Sequence, residues 1–205
     1  MSTLQYLEIF TLATGVVYVV LEILQKNSMW ILGFFSAFAA AIVFLSQKLF
    51  ASAGLNVYYV IMSVIGYYAW YKDSKRLKRE QSNMHSDEKN LKSIHLNKLS
   101  SSVILFSISA LFLGTVALFF LLKYLEDPMG WLDSFVTVLS AIATIWLAKS
   151  YIAQWWLWVV ADLLSTTLCF AQGIPWMGTL YFIYAISAVY GYFHWKRHGV
   201  NVGCS

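Results

Sequence analysis

Seven long apolar stretches, nearly free of charge, constrain this chain more than any other feature. They run approximately over residues 4–24, 29–46, 54–72, 100–123, 131–150, 154–171 and 175–195. Each has about the length a helix needs to cross the ~30 Å hydrocarbon core of a bilayer. Lipid offers no hydrogen-bond partners, so a spanning segment must satisfy its own backbone, and a helix does so. A soluble domain carries about 25% charged residues. This chain carries 12%, against 60% hydrophobic residues, and its charges gather between the stretches. The expected class is an all-α integral membrane protein of seven transmembrane helices. The chain is uncharged before Glu8, so it lacks the basic start of a cleaved signal peptide, and the first stretch is expected to be a permanent helix.

The basic residues set the orientation. Placing the segment after the third stretch in the cytoplasm puts twelve of the fourteen Lys and Arg on that side, with only Lys48 and Lys123 opposite. The positive-inside bias then predicts an outer N-terminus, a cytoplasmic basic loop over 73–99 and a cytoplasmic tail over 198–205. This bias accounts for the net charge of +4 without a nucleic-acid partner. Cys169 falls inside a stretch and Cys204 next to the end. Neither their spacing nor the His194/His198 pair forms a disulfide framework or a metal-ligand set. Gly173 and Pro175 mark a tight turn between the last two stretches.

The chain also repeats itself. Shifted by 125 residues without a gap, Trp30 falls on Trp155, Leu55 on Leu180, Tyr59 on Tyr184, and Gly66-Tyr67-x-x-Trp70 on Gly191-Tyr192-x-x-Trp195. Leu7-Glu8-x-Phe10 falls likewise on Leu132-Asp133-x-Phe135. Residues 1–72 thus form a first three-helix repeat and 129–197 a second, with 100–123 as a linker helix. Three helices plus one linker start both repeats on the same membrane face. The repeats are then parallel, an arrangement found in transporters whose substrate site lies at the repeat interface.

A charge inside a span is costly and marks a candidate site. Asp162 closes the pattern Trp155-x-x-Trp158-x-x-x-Asp162, whose steps of three and four place the side chains on one helical face. Two indoles and a carboxylate suit an organic cation, since ring faces attract positive charge and the acid supplies a counter-ion. The counterparts of Trp155, Trp158 and Asp162 are Trp30, Gly33 and Ala37, so an interfacial site would be bulky on one side and open on the other. Small residues there also serve close helix packing. Asn56 and Tyr59 on the third helix match Tyr181 and Tyr184 on the seventh, and Asn56 both donates and accepts hydrogen bonds.

Other features favour structural roles. Glu8 and Asp133 are expected near the headgroups, Glu22 is expected to pair with Lys26 at the inner end of the first helix, and Tyr67, Trp70, Tyr192 and Trp195 are expected as interfacial anchors. No nucleophile with a base, no carboxylate pair and no phosphate loop is evident, so neither an enzyme nor a cofactor is expected. A sensor or scaffold remains the more distant alternative, with the basic loop as its docking element.

The segments NSMWILG, LNVYYVIMSVIGYYAW, WWLWVVAD and LYFIYAISAVYGYFHW together resemble the Pnu vitamin transporter family (PnuC and PnuT), over nearly the whole chain. The resemblance implies the three-one-three plan of full-length SWEET proteins. It also implies facilitated diffusion of nicotinamide riboside or thiamine across a bacterial inner membrane, trapping by a cytoplasmic kinase, and a homotrimer. Both vitamins are flat aromatic cations. Carried over by motif, Trp155, Trp158 and Asp162 become binding residues, joined by Asn56 and Tyr184. On this reading Trp158 stacks on the ring, Trp155 gates or stacks from the inner side, Asp162 offsets the charge, and Asn56, Tyr59, Tyr181 and Tyr184 read the polar substituents, with Trp30 facing them. Family members that carry nicotinamide riboside often have a polar residue after the second Trp and Asn at the last motif position. This chain has Val159 and Asp162, which tilts the expected substrate slightly toward thiamine. With one deep acid in view, transport without ion coupling is expected.

Overall fold

The computed structural model describes residues 14–46, 50–81, 94–124, 130–171, 173 and 175–201. Leu7, Glu8, Phe10, Lys48 and Cys204, which enter the sequence reading, lie outside them. The described helices are α1 (Thr14–Ile23), α2 (Ser28–Ser46), α3 (Phe50–Gln81), α4 (Ser101–Tyr124), α5 (Trp131–Ala148), α6 (Gln154–Ala171) and α7 (Pro175–His198). They answer to the seven apolar stretches. By length and composition α4 and α5 are each apolar enough to cross a membrane unaided. Bulky apolar side chains also point outward on the other helices, among them Phe35 on α2, Ile61 on α3, Phe170 on α6 and Phe193 on α7. Such a surface belongs in lipid.

The strongest helix pairings are α2 with α3 and α6 with α7, followed by α5 with α6, α4 with α5 and α3 with α5. Local geometry recurs at the 125-residue interval. After α1 the chain turns through Gln25 at φ 49°, and after α5 through Ser150 at φ 53°. A positive φ is uncommon for a residue with a side chain. Both turns close the same way. Lys26 N donates to Leu21 O and Gln25 N to Glu22 O, as Tyr151 N does to Trp146 O and Ser150 N to Leu147 O. This is the Schellman closure, which satisfies carbonyls orphaned at a helix end. The two turns touch, since Gln25 Nε2 donates to Ser150 Oγ at 3.4 Å. Asp133 accepts the Gly130 N–H at 3.2 Å, so it caps α5, where the helix dipole favours an acid.

The core is a row of four indoles. Ring centroids lie 5.2 Å apart for Trp30 and Trp70, 6.2 Å for Trp70 and Trp195, and 5.3 Å for Trp155 and Trp195. None of the four is more than 2% exposed. Trp70 Nε1 donates to Leu147 O and Trp195 Nε1 to Ile23 O, each at 3.0 Å. Trp70 and Trp195 are therefore not interfacial anchors. Their N–H groups serve carbonyls in the last turns of α5 and α1, which lack intrahelical partners. Tyr67 and Tyr192 sit half-buried against this core.

The basic segment is only partly loop. Its first residues extend α3 to Gln81, and residues 94–96 form a strand, β1 (Ile94–Leu96). This strand pairs in parallel with β2 (Gly199–Asn201), just beyond α7. Ile94 and His95 are buried. Gln25 grips the His95 backbone with both ends of its amide, donating to His95 O and accepting from His95 N at 2.9 Å each. Asn97 Nδ2 donates to Asp73 Oδ2 and Lys149 O, and its N–H to Ser150 O. This short stretch thus ties together the ends of α1 and α5, the α3 extension and the segment after α7. Burial pushes the His95 imidazole down from 6.5 to about 4.

Candidate functional site

The small residues of α2 leave room beside α1, α3, α6 and α7, and a cavity of about 450 Å³ opens there. This lies within the range of small-molecule sites, roughly 300–1,000 Å³. Every residue singled out from sequence lines it: Trp30, Asn56, Tyr59, Trp155, Trp158, Asp162, Tyr181 and Tyr184. Gly33, Ser36, Ala37 and Ala40 form the open wall on α2. Residues 125 positions apart share the lining. Trp30 and Trp155, Gly33 and Trp158, Ala37 and Asp162, Asn56 and Tyr181, and Tyr59 and Tyr184 are all in the lining. The asymmetry expected from the sequence, bulk and charge on α6 against small residues on α2, is present in the geometry.

Two glycines position the end indoles. A Cβ on Gly66 would sit 2.4 Å from Trp30 Cζ2, and one on Gly191 2.5 Å from Trp155 Cη2. Only a bare Cα lets the rings lie flat on α3 and α7. Gly15 plays a similar part on α1, where its Cα faces the Tyr184 hydroxyl.

The electrostatics of the cavity are one-sided. Asp162 is 7% exposed and Glu22 5%, and both line the cavity. Among the described residues no Lys, Arg or His is in the lining. Neither acid lies within ion-pair distance of a basic group among the described residues. The indole N–H groups of Trp30, Trp155 and Trp158 are buried without a hydrogen-bond partner there. Buried donors are normally paired, so three unsatisfied N–H groups around one cavity fit a ligand that brings acceptors. Two acids and several ring faces fit a ligand that brings positive charge.

Glu22 departs from the sequence expectation. It does not pair with Lys26, which is exposed. Instead it turns inward and accepts from Gln154 Nε2 at 3.4 Å. The cavity therefore has two acids rather than one. The spacing Gly15-x-x-Tyr18-x-x-x-Glu22 carries the missing signal, for all three residues share one face of α1 and all three line the cavity. Thr144 and Ser63 also line it, but their hydroxyls donate to the Ser140 and Tyr59 carbonyls. His194 and His198 stack on one another at 4.4 Å, and no metal-binding cluster occurs among the described residues.

Comparison with known proteins gives the same outline. The nicotinamide riboside transporter PnuC of Escherichia coli (strain K12) is 24% identical over 212 residues, covering 94% of this chain and 85% of that protein. PnuC of Neisseria mucosa is 26% identical over 199 residues, covering 90% and 71%. The riboflavin/roseoflavin transporter RibM of Streptomyces davaonensis is 32% identical over 92 residues, 43% of this chain and 42% of its own length. The crystal structure of the vitamin B3 transporter PnuC superposes with a TM-score of 0.69 at 25% identity, covering 94% of this chain and 83% of that one. Two of these relatives are named for nicotinamide riboside and one for riboflavin, and none lends support to the tilt toward thiamine drawn from Val159 and Asp162. The family model described as nicotinamide mononucleotide transporter matches residues 5–197. The chain is an integral membrane protein and a transporter rather than an enzyme, and it belongs to the nicotinamide mononucleotide transporter family.

Proposed function

We propose that this protein carries nicotinamide riboside across a bacterial inner membrane by facilitated diffusion. The observation that carries the reading is the cavity itself, where two indoles and Asp162 share one face of α6 and, among the described residues, no basic side chain competes for the acid. A flat aromatic cation stacks on Trp158, with Asp162 as its counter-charge and Trp155 closing the far end. Asn56, Tyr59, Tyr181 and Tyr184 contact its polar substituents, and the unpaired indole N–H groups receive its oxygens. Thiamine shares the ring and the charge, but the similarity to nicotinamide riboside transporters weighs against it as the main substrate.

Access alternates as two parallel three-helix groups, α1–α3 and α5–α7, rock about the cavity while α4 links them, as in SWEET proteins. The matched turns at Gln25 and Ser150 and the matched indole pairs support that plan. The N-terminus faces outward and the C-terminus the cytoplasm, where a kinase phosphorylates and traps the vitamin. The protein works as a homotrimer, a state that mass measurement of the detergent-solubilised protein tests directly.

The deciding experiment is a titration of the purified protein with nicotinamide riboside and, separately, thiamine, followed by tryptophan fluorescence. Saturable quenching by nicotinamide riboside is expected. Asp162→Asn weakens it about 10- to 100-fold, the scale of a lost charge-assisted contact, and Trp158→Ala abolishes most of the quench. Saturable binding of thiamine alone would overturn the substrate.

A further inference from the structure

Glu22 is the buried acid that the proposed binding mode leaves without a task. It sits in the last turn of α1, where Gln154, the first residue of α6, donates to its Oε1 at 3.4 Å. Gln154 is itself fully buried, so the amide pins the carboxyl near the start of α6. Asp162 lies eight residues further along that helix, roughly 12 Å at 1.5 Å per residue. The two acids thus mark two levels of one cavity. Among the described residues neither has a basic partner, and no other hydrogen bond reaches the Glu22 side chain.

The Glu22 level also holds unpaired donors. Trp155 follows Gln154 in the first turn of α6, and Trp30 is its counterpart in the first turn of α2. The indole row runs beside Ile23, the residue after Glu22, whose carbonyl accepts from Trp195. Both Trp30 and Trp155 line the cavity, and both bury an indole N–H with no partner. A ligand with one positive charge needs one counter-ion, and Asp162, on the face of Trp158, supplies it. The remaining acid then needs hydrogen-bond donors, and the indoles need acceptors. A hydroxyl is both at once, donating to the carboxylate and accepting from the N–H. Adjacent hydroxyls on a sugar ring match this mixed set, whereas a bare aromatic cation does not.

We propose that Glu22, held by Gln154, is a hydroxyl-binding subsite that recognises the sugar of a cationic nucleoside while Asp162 holds the charged ring. Glu22 is then a specificity-determining residue. It tells the riboside from the same pyridinium cation without its sugar. The role needs no proton transfer, so it fits a carrier that works by diffusion alone. The subsite rests on the reading of the ligand as nicotinamide riboside. Helical spacing turns Glu22 inward with Gly15 and Tyr18, and the fold adds the tether from Gln154 and the two indoles.

The test titrates the full chain in lipid nanodiscs, by calorimetry, with nicotinamide riboside and with 1-methylnicotinamide, a pyridinium cation that lacks the sugar. The unmutated protein is expected to prefer the riboside about 10- to 100-fold, the scale of a hydrogen bond to a charged group. Loss of a remote charge weakens both cations alike, so the ratio of the two affinities reads the sugar contact. Glu22→Gln cuts that ratio about tenfold. Glu22→Asp, which keeps the charge but shortens the reach, weakens the riboside alone. Asp162→Asn weakens both ligands and keeps the ratio. An unchanged ratio in Glu22→Gln overturns the subsite and leaves the substrate standing. Failure of the riboside to bind the unmutated protein overturns the substrate and the subsite together. The 2′,3′-dideoxy analogue of the riboside, titrated into the unmutated protein, decides the matter if the variants fail to fold. Binding about tenfold or more below that of the riboside is expected, and equal binding overturns the subsite.

Discussion

At the scale of single residues the site depends as much on what is missing as on what is present. Trp155 lies flat against Gly191, and Trp30 against Gly66, because neither glycine carries a Cβ. Gly191→Ala puts a methyl 2.5 Å from a buried indole, so the ring must move. We expect a loss of about 1–3 kcal/mol in stability, the usual scale of overpacking, with a tenfold or greater drop in ligand affinity, read by thermal unfolding and fluorescence titration. Gly54→Ala is the control, since nothing lies within 4 Å of a Cβ there. Equal effects of the two substitutions would show that the indole is not positioned by its glycine.

At the scale of elements, the strap formed by β1 and β2 stitches the segment before α4 and the segment after α7 to the helices. Its buried histidine makes it sensitive to acid. The His95 imidazole is lowered from 6.5 to about 4 by burial, so the fold favours its neutral form. The stabilisation is complete above about pH 6.5 and is lost as pH falls from there toward 4, because the unfolded chain takes up the proton first. The expected loss across that window is on the order of 3 kcal/mol. Unfolding midpoints measured between pH 7 and 4 check it, and His95→Gln removes that part of the slope. An unchanged slope in His95→Gln would assign the acid sensitivity to other groups. The strap also shows what a sequence reading loses. Ile94-His95-Leu96 is three residues within a Lys- and Asn-rich stretch, too short for an apolar pattern to register, and its burial depends on Gln25 reaching it across the fold and on the adjacent Asn97 reaching Asp73 and Lys149.

At the scale of the whole molecule, the indole row joins α2 and α3 to α6 and α7. Trp70 bonds across to α5, and Trp195 bonds across to α1. Trp70→Phe and Trp195→Phe each remove one buried hydrogen bond, worth about 1–2 kcal/mol. The two effects should be similar in size, since the contacts are equivalent. They should also be non-additive, because the rings touch at 6.2 Å. Unfolding of the single and double variants measures both. Strictly additive losses would mean that the two groups are not coupled through the row.

Sequence alone determined the solvent and the helical class, and it raised the expectation of a repeat. Those follow from local quantities, the length of apolar runs, the placement of charge, and a fixed interval between like residues. It also picked out the cavity wall, because Trp155, Trp158 and Asp162 share a face through helical spacing within one element. Tertiary structure alone decided the rest. Whether a tryptophan near a helix end anchors in the headgroups or caps a carbonyl inside the protein depends on which helix lies opposite. Trp70 and Trp195 found α5 and α1 there. Whether an acid pairs with the lysine four residues on or turns inward depends on a partner remote in sequence. Glu22 met Gln154; the face it shares with Gly15 and Tyr18 marks the acid as inward, but helical spacing names no partner 132 residues away.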